Sequence, residues 1–323
     1  MRRYFVKKAG QFRAAQSKNA FIAAENLKGF VMDKLITVVG TTASGKSDLG
    51  IILAKEFNGE IVSCDSRQIY KGLDLGTGKV TAEEQAQVKH HLIDIKEPNE
   101  SFSLAEYQKL AYRSINDIIA RKKTPFLVGG TGLYSRAVTQ GYNLSEEQDD
   151  PELRKEINAL TAGQLIEKLK ECGEEVPDGL SPRHLARRLE KRMKGVAAGV
   201  NKPVYDYIQL IPVFPRDILY KRIELRLDAR LNAGMVDEVK RLKQQGATDE
   251  FLEGLGLEYR YTNRYLNGEY TFEEYRETLL TEIRHFAKRQ VTWFKKEQNA
   301  YPLDMTGDYE TAAKQIVANF IKA

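Results

Sequence analysis

The amino-acid sequence predicts an α/β fold in which helices wrap a parallel sheet. Short apolar runs alternate with longer segments of helical periodicity, as expected for strands joined by helical crossovers. Right-handed crossovers place the carboxyl ends of such strands at one edge of the sheet, where we expect the ligand site. The predicted strands are Ile36–Val39, Glu60–Cys64, His91–Ile95, Pro125–Gly129 and Ile208–Val213.

The chain has 323 residues and 42% hydrophobic content, enough for one large domain with an elaboration. Residues 32–140 are predicted to form the α/β core. Residues 201–323 should complete that core and add almost wholly helical structure, with a long helix from Phe272 to Glu297. Between these parts, residues 141–200 show helical periodicity and no strand pattern. We therefore predict a helical insertion domain there.

The segment 1–31 is a basic extension in which Glu25 is the sole acid. Its composition is similar to that of an organellar transit peptide. Two other interpretations stay open, namely a start at Met32 and a solvated basic arm. We interpret the segment as a dispensable extension of a cytoplasmic protein, with a mitochondrial location as the alternative. No apolar run approaches bilayer-spanning length, so we expect a soluble protein without membrane association.

The cysteines and histidines do not predict a metal centre. Cys64 and Cys172 lack metal-ligand spacing and are expected to be reduced thiols. The four histidines likewise show no ligand spacing, so no zinc site is predicted. The net charge of +5 is too small to prove a polyanionic partner by itself.

The stretch VVGTTASGKSDLG, Val38 to Gly50, predicts a phosphate-binding loop between a strand and a helix. Glycines let backbone N–H groups turn toward anionic oxygens, and the following helix directs its positive end there. Lys46 adds positive charge, and Ser47 is a candidate ligand for Mg²⁺. The predicted core is therefore P-loop NTPase-like. The residues of this loop are Gly40, Thr41, Thr42, Ala43, Ser44, Gly45, Lys46 and Ser47.

Asp65 follows the second predicted strand directly and should project from the same sheet edge as the loop. A carboxylate beside a phosphate site can bind Mg²⁺ or abstract a proton. It can equally cap a helix N-terminus. These alternatives stay open from the residues alone.

Six motifs occur in one order along the chain: GTTASGKS, DSRQIYKGLDLGTGK, HHLIDI, SFSLAEY, GGTGLY and AKRQVTWF. With these motifs, the sequence resembles the tRNA dimethylallyltransferases, the isopentenyltransferase family that prenylates the adenosine beside the anticodon. The resemblance runs from about Met32 to the terminal helical region and is strongest before Gly141.

The resemblance implies that the loop grips the diphosphate of dimethylallyl diphosphate. The dimethylallyl group would pass to N6 of the adenosine 3′ to the anticodon of tRNA, with release of diphosphate. It implies Mg²⁺ as cofactor, held by Ser47, and we expect a monomer. The catalytic residues carried over are Asp65 as base, Thr131 as a hydrogen-bonding group, and Arg222 as a diphosphate contact. Donors around a leaving diphosphate stabilise the transition state.

The resemblance also implies a tRNA surface, since an adenine must leave its stack to reach a catalytic base. From the residues themselves, the run from Ile283 to Lys296 is basic and holds no acid, which favours a polyanion and salt-dependent binding. Ile283, Phe286 and Phe294 would face the core. The residues implied in tRNA binding are Asp65, Ser66, Arg67, Gln68, Thr131, Arg154, Arg183, Arg187, Arg260, Lys288, Arg289 and Gln290.

Two positions depart from the family pattern. His184 stands where arginine is usual, which weakens the phosphate contact expected there. Glu258 stands where a glycine usually precedes the Tyr259–Arg260 pair. Without that glycine a positive φ is costly, so we expect a reshaped loop that affects Arg260.

Three other functions stay open at this point. An adenylate isopentenyltransferase would prenylate free nucleotides, but it would not need so extended a basic footprint. A P-loop small-molecule kinase would transfer a phosphoryl group from ATP. A non-catalytic RNA-binding module would not need Lys46, Ser47, Asp65 and Thr131.

Overall fold

The computed structural model describes residues 32–144, 150–194 and 200–323. The expectations for the basic extension, residues 1–31, concern residues outside this set.

A single parallel sheet forms the centre of the fold, with strand order β3-β2-β4-β1-β5-β6. All five strand pairings are parallel, which confirms the predicted α/β architecture. Strand β1 lies between β4 and β5, so the loop that follows it emerges at the middle of the sheet. The strands are β1 Lys34–Val39, β2 Gly59–Ser63, β3 His90–His91, β4 Thr124–Gly129, β5 Asp206–Val213 and β6 Ala300–Asp304.

Helices connect and cover the strands. Those between β1 and β5 are α1 Lys46–Glu56, α2 Ala82–Gln87, α3 Leu104–Ala120, α4 Gly132–Thr139, α5 Pro151–Asn158, α6 Ala162–Glu171 and α7 Pro182–Met193. Those after β5 are α8 Arg216–Asn232, α9 Met235–Gln244, α10 Asp249–Leu255, α11 Leu257–Leu266, α12 Phe272–Phe294 and α13 Tyr309–Lys322. Among the described residues, no helix combines the length and the apolar character needed to cross a membrane.

Two strand predictions were wrong. The predicted strand His91–Ile95 shrinks to His90–His91, because Leu92 and Asp94 adopt positive φ angles of 62° and 54°, which end the extended backbone. Strand β6 was not predicted in a region expected to be almost wholly helical. It is an edge strand with Pro302 and only one buried residue, so it lacks the apolar pattern of the inner strands.

Both faces of the sheet are buried, which explains the apolar runs. On β1, Leu35 and Val39 pack into the cluster that includes α3 and α4. Ile36 and Val38 point to the other face, toward α1 and α13. Parallel strands covered on both faces read as continuous apolar segments, as β1 does.

The C-terminal helices pack against the phosphate loop. A third cluster joins α8, α11 and α12 through residues such as Ile223, Leu257 and Leu279, and it includes Ala43 of the loop. Helices from the last third of the chain therefore form a wall beside the carboxyl ends of β1, β2 and β4.

Three helices, α5 to α7, occupy the described part of the predicted insertion. They have an apolar cluster of their own, which includes Ile157, Leu169 and Leu189. The two connections to the core lie side by side, since the Lys202 N–H donates to the Gly141 carbonyl at 3.1 Å. The role of this segment as a tRNA-binding domain stays a prediction.

Candidate active site

The phosphate loop turns sharply between β1 and α1. Ala43 and Gly45 have positive φ angles of 60° and 81°, and Gly45 caps the helix that begins at Lys46. Only glycine adopts such a conformation at little cost, which accounts for this glycine before the helix. Ser47 lies in the first turn, where the positive end of the helix dipole favours an anion.

Lys46 is a desolvated cation at the centre of the site. Its Nζ donates to the Thr41 carbonyl at 3.2 Å. Burial, reinforced by the nearby Arg226 guanidinium, lowers the pKa of Lys46 to about 8, although Asp65 acts in the opposite direction. An ammonium group in this position is stabilised when an anion arrives.

Gln290 of α12 clamps two loops together. Its Oε1 accepts the Thr42 N–H at 2.9 Å, and its Nε2 donates to the Gly130 carbonyl at 3.1 Å. One buried amide therefore fixes the phosphate loop against the loop that follows β4.

The ends of β2 and β4 meet beside the phosphate loop. The close approach requires Gly129, because a Cβ there would lie 2.5 Å from the Cys64 carbonyl carbon. Thr131 Oγ1 accepts the Ser66 N–H at 3.0 Å, which ties the two strand ends. Asp65 Oδ1 accepts the Arg67 N–H at 3.0 Å, so Asp65 closes a local turn and does not cap a described helix.

A cavity of about 380 Å³, which we call the main cavity, brings together ten of the 21 predicted site residues. Phe286 and Trp293 of α12 add aromatic surface to its wall. The predicted residues that line it are Thr42, Lys46, Ser47, Asp65, Ser66, Arg67, Gln68, Thr131, Arg289 and Gln290.

A second cavity of about 520 Å³ lies at the other side of the loop residues and is lined by Ala43 and Gly45. Lys46, Ser47 and Arg226 line both cavities. The phosphate-binding groups are therefore accessible from two directions. The remaining loop residues are enclosed: Gly40, Thr41 and Ser44 are buried.

Arg222 reaches the loop from outside. Its Nε donates to the Ala43 carbonyl at 2.9 Å, and its guanidinium lies 4.6 Å above the Phe214 ring. Arg222 lines the second cavity and is absent from the main one. Its predicted catalytic role stays a prediction.

Arg226, one turn further along α8, was missed in the sequence. It lies beside Lys46, and within the described part of the chain it has neither a hydrogen bond nor an ion pair. Burial and the neighbouring Arg230 lower the pKa of Arg226 to about 10. A half-buried guanidinium without a partner is costly, and an anion would relieve that cost. The signal was present, because Arg222, Arg226 and Arg230 recur every four residues along one helical stripe.

Glu258 does not reshape a loop, contrary to expectation. It lies in α11, and the positive φ of 145° falls on Gly256 instead. Glu258 forms part of the wall of the main cavity. Arg260 lies outside that wall, and its Nε donates to the Glu253 carbonyl at 2.8 Å.

The basic residues of the insertion lie apart from the main cavity. Arg154 and Arg187 donate to the two oxygens of Glu190 at 3.0 and 2.7 Å. Burial of this carboxylate opposes its charge, but the bonds from Arg187, Arg154 and Lys194 outweigh burial and lower the pKa of Glu190 to about 2. Arg183 is exposed on α7, beside His184.

Helix α12 has one apolar and one basic face, as predicted. Ile283 and Phe294 are buried, whereas Lys288 and Arg289 are exposed. Trp293, at 37% exposed, stands at the rim of the main cavity.

These features define the class of protein to which the chain belongs. A phosphate loop at the centre of a parallel sheet, with a carboxylate and a hydroxyl on the adjacent strand ends, is the site of a P-loop transferase that acts on a phosphorylated substrate.

Similarity to known proteins identifies the particular family. The model of the IPP transferase family matches residues 68–297. A tRNA dimethylallyltransferase from Bacillus pumilus is 41% identical over 84% of this chain and 90% of its own. The tRNA isopentenylpyrophosphate transferase structure from Bacillus halodurans is 38% identical, has a TM-score of 0.68, and matches 90% of this chain and 96% of its own.

A more distant structure, a eukaryotic dimethylallyltransferase described as acting on tRNA, is 26% identical with a TM-score of 0.75, over 90% of this chain and 80% of its own. The chain belongs to the IPP transferase family, which confirms the resemblance found in the motifs.

Proposed function

We propose that the protein transfers the dimethylallyl group of dimethylallyl diphosphate to N6 of the adenosine 3′ to the anticodon in tRNA. As a member of its family, it is a prenyltransferase of tRNA modification. The observation that carries the proposal for the site is that Lys46 of the phosphate loop and Asp65 line one cavity. This arrangement suits a departing anion on one side and a nucleophile on the other.

The donor side is built to stabilise a leaving diphosphate. As the C1–O bond of the donor breaks, its electron pair moves to the diphosphate, and negative charge grows on those oxygens. Lys46, Arg226 and the loop N–H groups supply positive charge and hydrogen-bond donors for them. Such preorganised donors act most strongly where charge develops in the transition state.

The residues also fit a magnesium ion that arrives with the diphosphate. Mg²⁺ keeps several waters and commonly binds through one or two protein groups plus phosphate oxygens. Ser47 offers a hydroxyl in the first turn of α1, at the wall of both cavities. No cluster of three or more acidic, histidine or cysteine ligands occurs among the described residues, so a cage made by the protein alone does not form there. When bound, Mg²⁺ would neutralise charge on the diphosphate.

The acceptor side needs a base. The N6 lone pair of adenine is delocalised, so the amine becomes a good nucleophile only as its proton leaves. As the N6–C1 bond forms, Asp65 would take that proton. Thr131, tied to Ser66 at 3.0 Å, would help to orient the reacting groups.

The tRNA would lie along the basic face of α12. Lys288 and Arg289 are exposed there and would contact phosphates. The rim aromatic Trp293 would stack on a base that has left the helix stack. Such a footprint is larger than a free nucleotide requires, and family membership does not favour the free-nucleotide alternative.

The decisive experiment combines the protein with dimethylallyl diphosphate, Mg²⁺ and unmodified tRNA, followed by digestion and mass spectrometry. We expect prenylated adenosine at the position 3′ to the anticodon and one intact diphosphate per transfer. Product formed from AMP but not from tRNA, or phosphoryl transfer from ATP to a small metabolite, would refute the proposal.

A further inference from the structure

Glu258 is one of two acids in a strongly basic cavity. Within the described residues, the only carboxylates at the main cavity wall are Asp65 and Glu258. Glu258 is 7% exposed, so its charge is almost fully removed from bulk water. Burying a carboxylate is costly without charged partners, and a cavity meant for anions should avoid one. The basic residues of the wall are Lys46, Arg67, Arg226, Arg230 and Arg289.

The two oxygens of Glu258 serve two arginines from distant parts of the chain. Oε2 accepts from Arg67 Nη1 at 3.2 Å, and Oε1 accepts from Arg230 Nη1 at 3.3 Å. A single carboxylate therefore joins the loop after β2 to helix α8.

The Arg67 side of this bridge faces the acceptor. The Arg67 backbone N–H donates to Asp65, the proposed base, at 3.0 Å. Its guanidinium packs 5.5 Å from the Phe286 ring and over Gly256, where any side chain would overlap it. Glu258 thus completes the set of contacts that hold Arg67 in one direction.

The Arg230 side faces the donor. Arg230 also donates to the Gly76 carbonyl at 3.3 Å and lies beside Arg226. The loop at Gly78 leaves no room for a side chain, because a Cβ there would overlap both guanidinium groups. Among the described residues Arg226 has neither a hydrogen bond nor an ion pair, whereas its neighbour Arg230 pairs with Glu258.

We propose that Glu258 is a positioning residue that aims Arg67 at the RNA acceptor and withholds Arg230 from the diphosphate. The inference rests on the proposed function, because it assigns the two arginines to acceptor and donor. Without the charge of Glu258, Arg67 loses its orientation, and Arg230 becomes free to attract the diphosphate. The two ligands should then respond in opposite directions, which a general loosening of the fold would not produce.

The test is the variant Glu258→Gln, which keeps the shape of the side chain and removes its charge. The probes are an unmodified anticodon stem-loop and inorganic diphosphate with Mg²⁺, each titrated without the other. We expect the stem-loop to bind about tenfold more weakly and diphosphate about threefold more tightly. Equal weakening of both, or no change in either, would overturn the inference.

A double variant tests whether Glu258 acts through Arg67. In an Arg67→Ala background, Glu258→Gln should cause no further loss of stem-loop affinity, since the group it positions is gone. An additive loss would contradict this.

The control is Glu60→Gln, because Glu60 is a buried carboxylate held by Arg121, Lys123 and His91 outside the cavity. This variant should lower thermal stability and leave both affinities unchanged. If the wild-type protein transfers no dimethylallyl group, the proposed function fails and the inference with it. If transfer occurs and the opposite shifts are absent, only the inference fails.

Discussion

The main cavity and the helical insertion both contain arginines around a buried carboxylate, yet they use them differently. In the insertion, Glu190 accepts bonds from Arg154 of α5 and from Arg187 and Lys194 at α7 and its C-terminal end, so the carboxylate neutralises cations of its own segment. In the cavity, basic residues outnumber acids, and Arg226 has no partner among the described residues. The difference indicates that an arginine marks a ligand site most clearly where no carboxylate of the protein neutralises its charge.

The largest expected effect comes from Asp65. The contrast between the main cavity and the insertion would fail if Asp65 were not needed for transfer. Asp65→Asn keeps an oxygen for the Arg67 N–H but removes the base, so we expect transfer to tRNA to fall about a thousandfold. Binding of diphosphate should change less than twofold, because Lys46 and the loop remain. Single-turnover transfer and a diphosphate titration measure the two effects. The matched variant Asp117→Asn, on α3 far from the cavity, should keep full activity, and comparable loss in both would count against the assignment.

Replacement of Arg226, which has no partner among the described residues, should give the next largest loss of activity. Arg226→Met should lower kcat/KM for dimethylallyl diphosphate about a hundredfold, since a desolvated charge-assisted contact is lost. Arg222→Met should cost about threefold, because Arg222 bonds the Ala43 carbonyl and lies outside the main cavity. Steady-state kinetics with varied donor distinguish the two. A larger loss for Arg222 would reverse these roles and restore the prediction made from the motif.

The insertion should respond in stability rather than in donor chemistry. The folded-state pKa of Glu190 is about 2, below its ordinary value of 4.5, so its stabilisation is complete above about pH 4.5 and disappears as the pH falls toward 2. Glu190→Gln should lower the local free energy of unfolding by about 2 kcal/mol at pH 7, a figure reduced for the exposure of its arginine partners.

Hydrogen exchange of α5 to α7 at pH 7 reports the loss in Glu190→Gln directly. Diphosphate affinity should stay at the wild-type level. A variant that exchanges like wild type, or one that loses diphosphate binding, would remove the contrast between the two regions.

The pH dependence of donor binding gives the smallest of these effects. On the proposed function, the donor diphosphate would bind the protonated form of Lys46, whose pKa is lowered to about 8 by burial. Affinity for dimethylallyl diphosphate should therefore be level below pH 7 and fall about tenfold between pH 7 and pH 9. Lys46→Arg keeps its charge over this range, so its affinity should vary much less with pH. A wild-type profile that stays flat to pH 9 would contradict the depressed pKa.

Local motifs predicted which residues meet at the centre of the candidate site. The phosphate loop, Asp65 and Thr131 follow strands that are apolar on both faces, and the sheet edge that they share follows from parallel topology. The edge strand β6 escaped prediction because it has one buried residue and no apolar alternation.

Long-range pairing could not be predicted. Helical spacing puts Arg222 and Arg226 on one face but does not say which guanidinium meets a carbonyl and which meets a cavity. Glu258 was interpreted as a lost glycine, whereas Gly256 carries the positive φ and Glu258 pairs with Arg67, 191 residues away. Such contacts depend on the packing of whole helices, which periodicity does not resolve.

The clamp made by Gln290 has a consequence for synthesis on the ribosome. The Thr42 N–H and the amide that holds it are 248 residues apart, so five of the six strands precede Gln290 in the chain. A nascent chain can begin to build its sheet early, but it cannot secure its phosphate loop until α12 has emerged from the exit tunnel. A chain that ends before α12 therefore lacks this clamp on its phosphate loop.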